Sequence, residues 1–445
     1  MNRHLVVSLT SAFCLLTSAF ALPLYRDSLP NGLIVLTYED HRLPIADIAL
    51  ECRSGHDCDP LPKAGVAALT AQLLPRGTKT MSGDSVTSII EFLGARFEGW
   101  ADDDGSGVSL RVLSKDLTTA LDLLADAVLN PAFDPKEFRR SQDMALARAR
   151  RTLDRPQAVA TLELNRLLFP GHPFARPATG DTVTIPQITR DDLVAFHQTH
   201  FVPNNCFVVV VGDVDRQSLR AELWQRFQHW QPAPVPQPAI PKLTFPDRLR
   251  VRYIQRPDLN QTYIAFGHPG IAVTDTDMLA TRLMSYILGG SAMSSRLGIA
   301  VREAAGLAYD VRCWFDRGRH QGLFRATVQT ADPKTALAKM LHEIRLMHDS
   351  GATRTELKKA HDYYTGSFPL TYSSNQGKLY QTQWTERYRF GPEWLERFPE
   401  LVRAVTLEQV NAAARNHLYP DQFIMVIVTN QEKEQLGLTD VEWLE

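Results

Sequence analysis

Residues 188–215 read ITRDDLVAFHQTHFVPNNCFVVVVGDVD, and residues 405–430 read VTLEQVNAAARNHLYPDQFIMVIVTN. At one constant offset Thr189 meets Thr406, His200 meets His417 and Pro203 meets Pro420. Each copy opens on a capping threonine, continues as an amphipathic helix, turns at proline and ends in an apolar run expected to be a buried strand. A second pair of segments repeats at nearly the same offset: GVSLRVLSKDLTTALDLLADAVLNPAFDPKEF from Gly107 and GLFRATVQTADPKTALAKMLHEIRLMHDSGATRTEL from Gly322. Both predict a strand and then a helix with apolar teeth, at Leu117, Leu121, Leu124 and Val128 or at Leu337, Leu341 and Ile344. A further helix opens at Asp134-Pro135-x-Glu137 or at Thr353-x-x-Glu356, both capping-box patterns. The chain is therefore expected to hold two homologous α+β domains, each an antiparallel sheet with helices packed on one face.

Between the repeats, WQPAPVPQPAIPKLTFPDR (230–248) carries too many prolines for a helix or a central strand and is expected to be an extended linker. The expected boundaries are 22–229 for the first domain, 230–248 for the linker and 249–445 for the second domain. The N-terminus MNRHLVVSLTSAFCLLTSAFALPLY has a short basic start, an apolar run and a small-x-small site at Ala19–Ala21, the pattern of a cleaved secretory signal over residues 1–21. Export to a bacterial periplasm is the expectation, with no membrane span in the mature chain. The formal net charge of the 445 residues is −2, without a basic tail or stripe, which argues against nucleic acid as a partner.

Four cysteines follow the leader. Cys52 and Cys58 bracket CRSGHDC and are the expected disulfide in an oxidising compartment; a metal site using His56 lacks a second ligand pair. Cys206 and Cys313 fall in expected strands as buried, inert thiols. His197 and His200 share a helix face without an acidic third partner and are expected at a solvated helix end. His342, Glu343 and His348 have the wrong spacing for a helical zinc site, and nucleophile-elbow, P-loop and dinucleotide fingerprints are absent.

GGSAMSSRLGIAVREAAGLAYDV (289–311) closely resembles a signature of the insulinase/pitrilysin family of zinc peptidases, the inverzincins. The likeness extends over roughly residues 25–430 and includes NGLIVLTYED, NPAFDPKEF and FPGHPFARPATGDTVTIPQIT. The resemblance implies that Arg302 and Tyr309 are the family's substrate-binding Arg/Tyr pair. It also implies that KAGVAALTAQLLPRGTKT (63–80) stands where active members carry H-x-x-E-H, two zinc-binding imidazoles and a general base on one helix. On that register the two histidines are replaced by Ala68 and Gln72, the glutamate by Ala71, and the distal glutamate ligand by Arg148. A methyl group neither ligates nor accepts a proton, one amide carbonyl is a poor zinc ligand, and a guanidinium repels a dication.

The resemblance thus implies a subunit inactive alone, which binds no zinc itself and supplies Arg302 and Tyr309 to a zinc-bearing H-x-x-E-H partner of the same family. Peptide or unfolded polypeptide would be the substrate. The alternative is a structural or peptide-binding scaffold of the same fold with no role in proteolysis. Two local roles compete for the Arg/Tyr pair: an ion pair of Arg302 with Glu303, and strand packing for Tyr309.

Overall fold

The computed structural model describes residues 23–444, so the expected leader lies outside the described residues. Its strands form two sheets of six. The first contains β1 (Tyr25–Ser28), β2 (Ile34–Glu39), β3 (Ile45–Cys52), β4 (Arg96–Ala101), β5 (Ser106–Leu113) and β6 (Cys206–Gly212), in the order β1-β2-β6-β3-β5-β4. The second contains β7 (Arg250–Gln255), β8 (Thr262–Pro269), β9 (Ala308–Phe315), β10 (Leu323–Thr330), β11 (Ile424–Thr429) and β12 (Glu442–Leu444), in the order β12-β7-β11-β8-β10-β9. The core order repeats, as the internal duplication requires. Residues 231–246, between the sheets, form neither helix nor strand.

Two features correct the expectation. The sheets are mixed, not antiparallel: β6 runs parallel to β2 with Phe207 opposite Ile34, and β11 runs parallel to β7 with Ile424 opposite Arg250. Parallel pairing needs a long crossover, and the helices between the first and last strands of each half supply it. The sheets are also covered on both faces, not one. Alternation along β6 sends Val208 and Val210 into the core beneath its own half's helices, and Phe207, Val209 and Val211 to the opposite side. All seven residues of β6 and all six of β11 are buried, as befits strands sandwiched on both sides.

The second cover comes from the other half. The helix Pro156–Leu168 packs Ala160, Leu164 and Leu168 against Ile424, Val426 and Val428 of the second sheet. The helix Asn375–Arg387 packs Leu379 against the first sheet beside Phe207, Val209 and Val211. The two halves therefore exchange one strap helix each. Burying one leucine such as Leu164 contributes about 1.5–3 kcal/mol, so each strap is a stabilising contact between the halves.

Local signals placed the helices well. Thr189 with Asp192, Thr353 with Glu356 and Thr406 with Gln409 form reciprocal capping boxes, while Asp134 alone caps the backbone N–H groups of Lys136 and Glu137. No helix among the described residues is long and apolar enough to cross a membrane.

Candidate functional site

The segment expected to carry the degenerate zinc positions folds as the helix Val66–Leu73. Its N-terminus is held from outside by Asp59, whose carboxylate accepts the backbone N–H groups of Gly65 and Ala67 at 2.7 Å each, favourable at the positive end of the helix. Asp59 also pairs with His56 Nδ1 at 2.9 Å. Burial opposes a charge on that imidazole, but the Asp59 carboxylate holds the His56 pKa above its ordinary value. Val66, Ala67, Leu69 and Leu73 point into the first core.

Ala68 and Gln72, four residues apart, face a cleft of about 320 Å³ that Arg148, from the helix Pro135–Thr152, also lines. The structure thus brings three of the four positions expected to be degenerate together. Ala71 lies behind the cleft and is fully buried, with β4 pressed against it: a Cβ on Gly99 would lie 1.7 Å from the Ala71 carbonyl oxygen. A methyl, an amide and a guanidinium do not fit a divalent cation. The one carboxylate lining the cleft, Asp181, is taken by Arg176 and by the backbone N–H groups of Val183 and Thr184.

Arg302 and Tyr309 lie elsewhere and do not line that cleft. Arg302 sits in a wide helical turn, Gly298–Glu303, and Tyr309 is the second residue of β9, the edge strand of the second sheet. The Arg302 guanidinium stacks 5.0 Å from the Tyr309 ring centroid, within cation–π range. Tyr309 is 85% exposed, so it is not a packing residue, and Arg302, half-buried, forms no ion pair with a carboxylate among the described residues.

The expected Cys52–Cys58 disulfide is not formed; both thiols are free. Cys52 ends β3 directly opposite Cys206, and its thiol donates to the His200 carbonyl at 3.1 Å and accepts from the Asn205 amide at 3.2 Å. Cys58 lies in a separate short turn, where burial pushes its thiol pKa up. Cys206 and Cys313 are buried strand residues, as expected. The expected solvated placement of His197 and His200 is corrected too: His200 is buried against Phe196, and His197 Nε2 meets the Val128 carbonyl at 2.8 Å.

The sequence reading missed the run Asp102–Asp104, in the turn between β4 and β5, which ties the halves together. Asp102 takes Arg387, and Asp104 accepts the Tyr388 hydroxyl at 2.7 Å and the Arg319 backbone N–H at 2.8 Å. Asp57, Asp104 and His320 bring ligand-type atoms within 4.8 Å of one another. Arg319 already supplies positive charge there, donating to Asp57 at 3.2 Å, so the cluster acts as a clamp between the halves. Burial raises the Glu51 pKa to about 7, despite Arg387 bonded beside it. Three consecutive acids before glycine were the available signal.

The comparisons with known proteins agree with this architecture. The profile described as Insulinase (Peptidase family M16) matches residues 34–182, and the profile described as Peptidase M16 inactive domain matches residues 187–363. An uncharacterised zinc protease of Rickettsia bellii is 26% identical over 335 residues, 75% of this chain and 80% of that protein. An uncharacterised zinc protease of Mycobacterium tuberculosis is 27% identical over 410 residues, 90% of this chain and 92% of that protein. The crystal structure of a peptidase M16 inactive domain from Pseudomonas fluorescens superposes with a TM-score of 0.85 at 30% identity, covering 92% of this chain and 98% of that one. Two matched family profiles and a shared two-sheet fold lead to one assignment: the chain belongs to the insulinase (peptidase M16) family and has the fold of its inactive-type members.

Proposed function

We propose that this chain is the non-catalytic, substrate-binding subunit of a heteromeric M16 zinc peptidase. A partner of the same family would carry the H-x-x-E-H site and its zinc, and this chain would bind no catalytic metal of its own. The observation that carries the reading is the Arg302–Tyr309 pair: stacked, accessible, and free of the ion-pair and packing roles that would otherwise explain it. A guanidinium and a phenol hydroxyl held at a sheet edge can donate hydrogen bonds to a peptide carbonyl, positioning an extended substrate and supporting oxyanion charge as it develops. The stack preorganises the arginine, so less side-chain freedom is lost on binding. The leader at residues 1–21 would bring the pair to a bacterial periplasm.

The test is reconstitution with an H-x-x-E-H partner and an unfolded peptide substrate. Neither chain alone should be efficient, and Arg302→Ala should lower kcat of the mixture by about a hundredfold while leaving association of the chains unchanged on size exclusion. A partner as active alone as in the mixture would refute the shared site. A scaffold role predicts that Arg302→Ala leaves turnover unaffected.

A further inference from the structure

Cys52 closes β3 and Cys206 opens β6, and the two are register partners across an antiparallel pair of strands. Hydrogen bonds in such a ladder fall on alternate pairs. Here the Arg53 N–H donates to the Asn205 carbonyl, and the Asp213 N–H to the Ile45 carbonyl, at 3.0 Å each. Counted from either end, Cys52 and Cys206 are a non-hydrogen-bonded pair. That is the closer kind, with Cα atoms about 4.5 Å apart, and a disulfide spans Cα separations of about 4.4–6.8 Å. Both side chains point to one side of the sheet, into the first core, and both are fully buried. Buried thiols are ordinarily inert packing groups; direct opposition at a close pair sets these two apart.

Cys58, the partner expected from loop spacing, has no such register. Its turn is tied elsewhere: the His56 and Asp57 N–H groups donate to the Asp102 and Asp103 carbonyls at 2.9 Å each. Burial, then the Cys52 thiol, pushes the Cys206 pKa up, so in the folded chain this thiol stays protonated and does not attack a disulfide. Oxidation therefore belongs to folding, when β6 joins β3 and before the helices close over the core. The position matters for the second half as well. Arg53, next to Cys52, bonds Glu386 of the strap Asn375–Arg387 at 2.6 Å, and its carbonyl accepts from Arg319 at 3.1 Å. A covalent bond at this end of the first sheet fixes the seat on which the second half docks.

We propose that Cys52 and Cys206 form a cross-strand disulfide when the chain folds in an oxidising compartment, which the proposed export would supply. The step is thiol–disulfide exchange with a disulfide donor. One cysteine thiolate attacks the donor, expels one donor thiol and leaves a mixed disulfide; the second attacks the cysteine sulfur of that intermediate and expels the other. The two cysteines are oxidised, the donor is reduced to two thiols, and the two protons pass to those thiols. The test denatures and reduces the full chain, refolds it with reduced and oxidised glutathione, alkylates it and digests it with trypsin. Because glutathione is the oxidant, the result is independent of export and of the peptidase reading. Cleavage separates the thiols, leaving Cys52 on residues 43–53, Cys58 on 54–63 and Cys206 on 191–216. Mass spectrometry should find 43–53 linked to 191–216, with the same link in Cys58→Ala. The chain refolded with glutathione should melt about 5 °C above the chain refolded with dithiothreitol, and Cys206→Ala should remove that difference. The wild-type peptide map decides the matter if Cys206→Ala fails to fold. Residues 43–53 linked to 54–63, or recovered with 191–216 as alkylated free thiols, overturns the inference.

Discussion

The helix Pro156–Leu168 meets the second sheet mainly through alanine and leucine, with one ion pair, Glu163 to Arg252 at 3.1 Å, whereas its counterpart Asn375–Arg387 meets the first sheet largely through ions. In the second case Lys378 reaches Asp40 at 2.8 Å, Gln383 and Arg387 share Glu51, and Glu386 takes Arg26 at 3.0 Å and Arg53 at 2.6 Å. The same architectural position is thus held by two kinds of force. Apolar burial is strong and non-directional, and tolerates small slips. Buried ion pairs add little net stability, because desolvation offsets the attraction, but they are costly to break singly and they fix direction. The polar strap also leads straight into Tyr388 and the clamp on Asp104, where direction matters.

The sharpest way to break this contrast is Arg387→Ala. It leaves Glu51 buried without its cation, and urea unfolding should register a loss of about 3–5 kcal/mol; a loss under 1 kcal/mol would mean that the ions are bystanders. In the apolar strap Leu164→Ala should cost about 2–4 kcal/mol through lost burial and a cavity, with no dependence on salt. Measured salt sensitivity equal to that of the polar strap would erase the distinction.

The smallest effect concerns pH. Arg42 foremost, then Lys378 against the opposing effect of burial, holds the Asp40 carboxylate well below its ordinary range. Its contribution is complete above about pH 4 and is lost as acid protonates it in the folded state. Burial moves Glu51 the other way, to about 7, so its contribution is complete at low pH and is lost as the pH rises through that value. Hydrogen-exchange protection of Asn375–Arg387, corrected for intrinsic rates, should therefore be greatest near about pH 4 and decline toward about pH 7, while that of Pro156–Leu168 stays level over the same range. A level profile in both straps would show that the ion pairs titrate without consequence.

What the sequence disclosed follows the range of each signal. Caps at Thr189, Thr353 and Thr406 and the runs at β6 and β11 are local, and the duplication displayed them twice. The parallel pairing of β6 with β2 and the exchange of straps join residues 160 or more positions apart, as Arg325 bonded to Asn165 illustrates, and no periodicity records such a choice of partner. The continuous apolar run Phe207–Val211 did hold the hint that both faces needed cover. At the candidate site, Ala68, Gln72 and Arg148 were each singled out by resemblance, one residue at a time, and the structure places all three in one cleft.

The exchanged helices also impose an order in time. The first sheet has all six of its strands once residue 212 has been made, yet Phe207, Val209 and Val211 stay uncovered until residues 375–387 follow. The opening half must therefore wait, with an apolar sheet face open to water, for the closing half to arrive. Under the proposed export across a membrane, that delay would keep the leading segment from locking into a finished globule while the rest is still in transit.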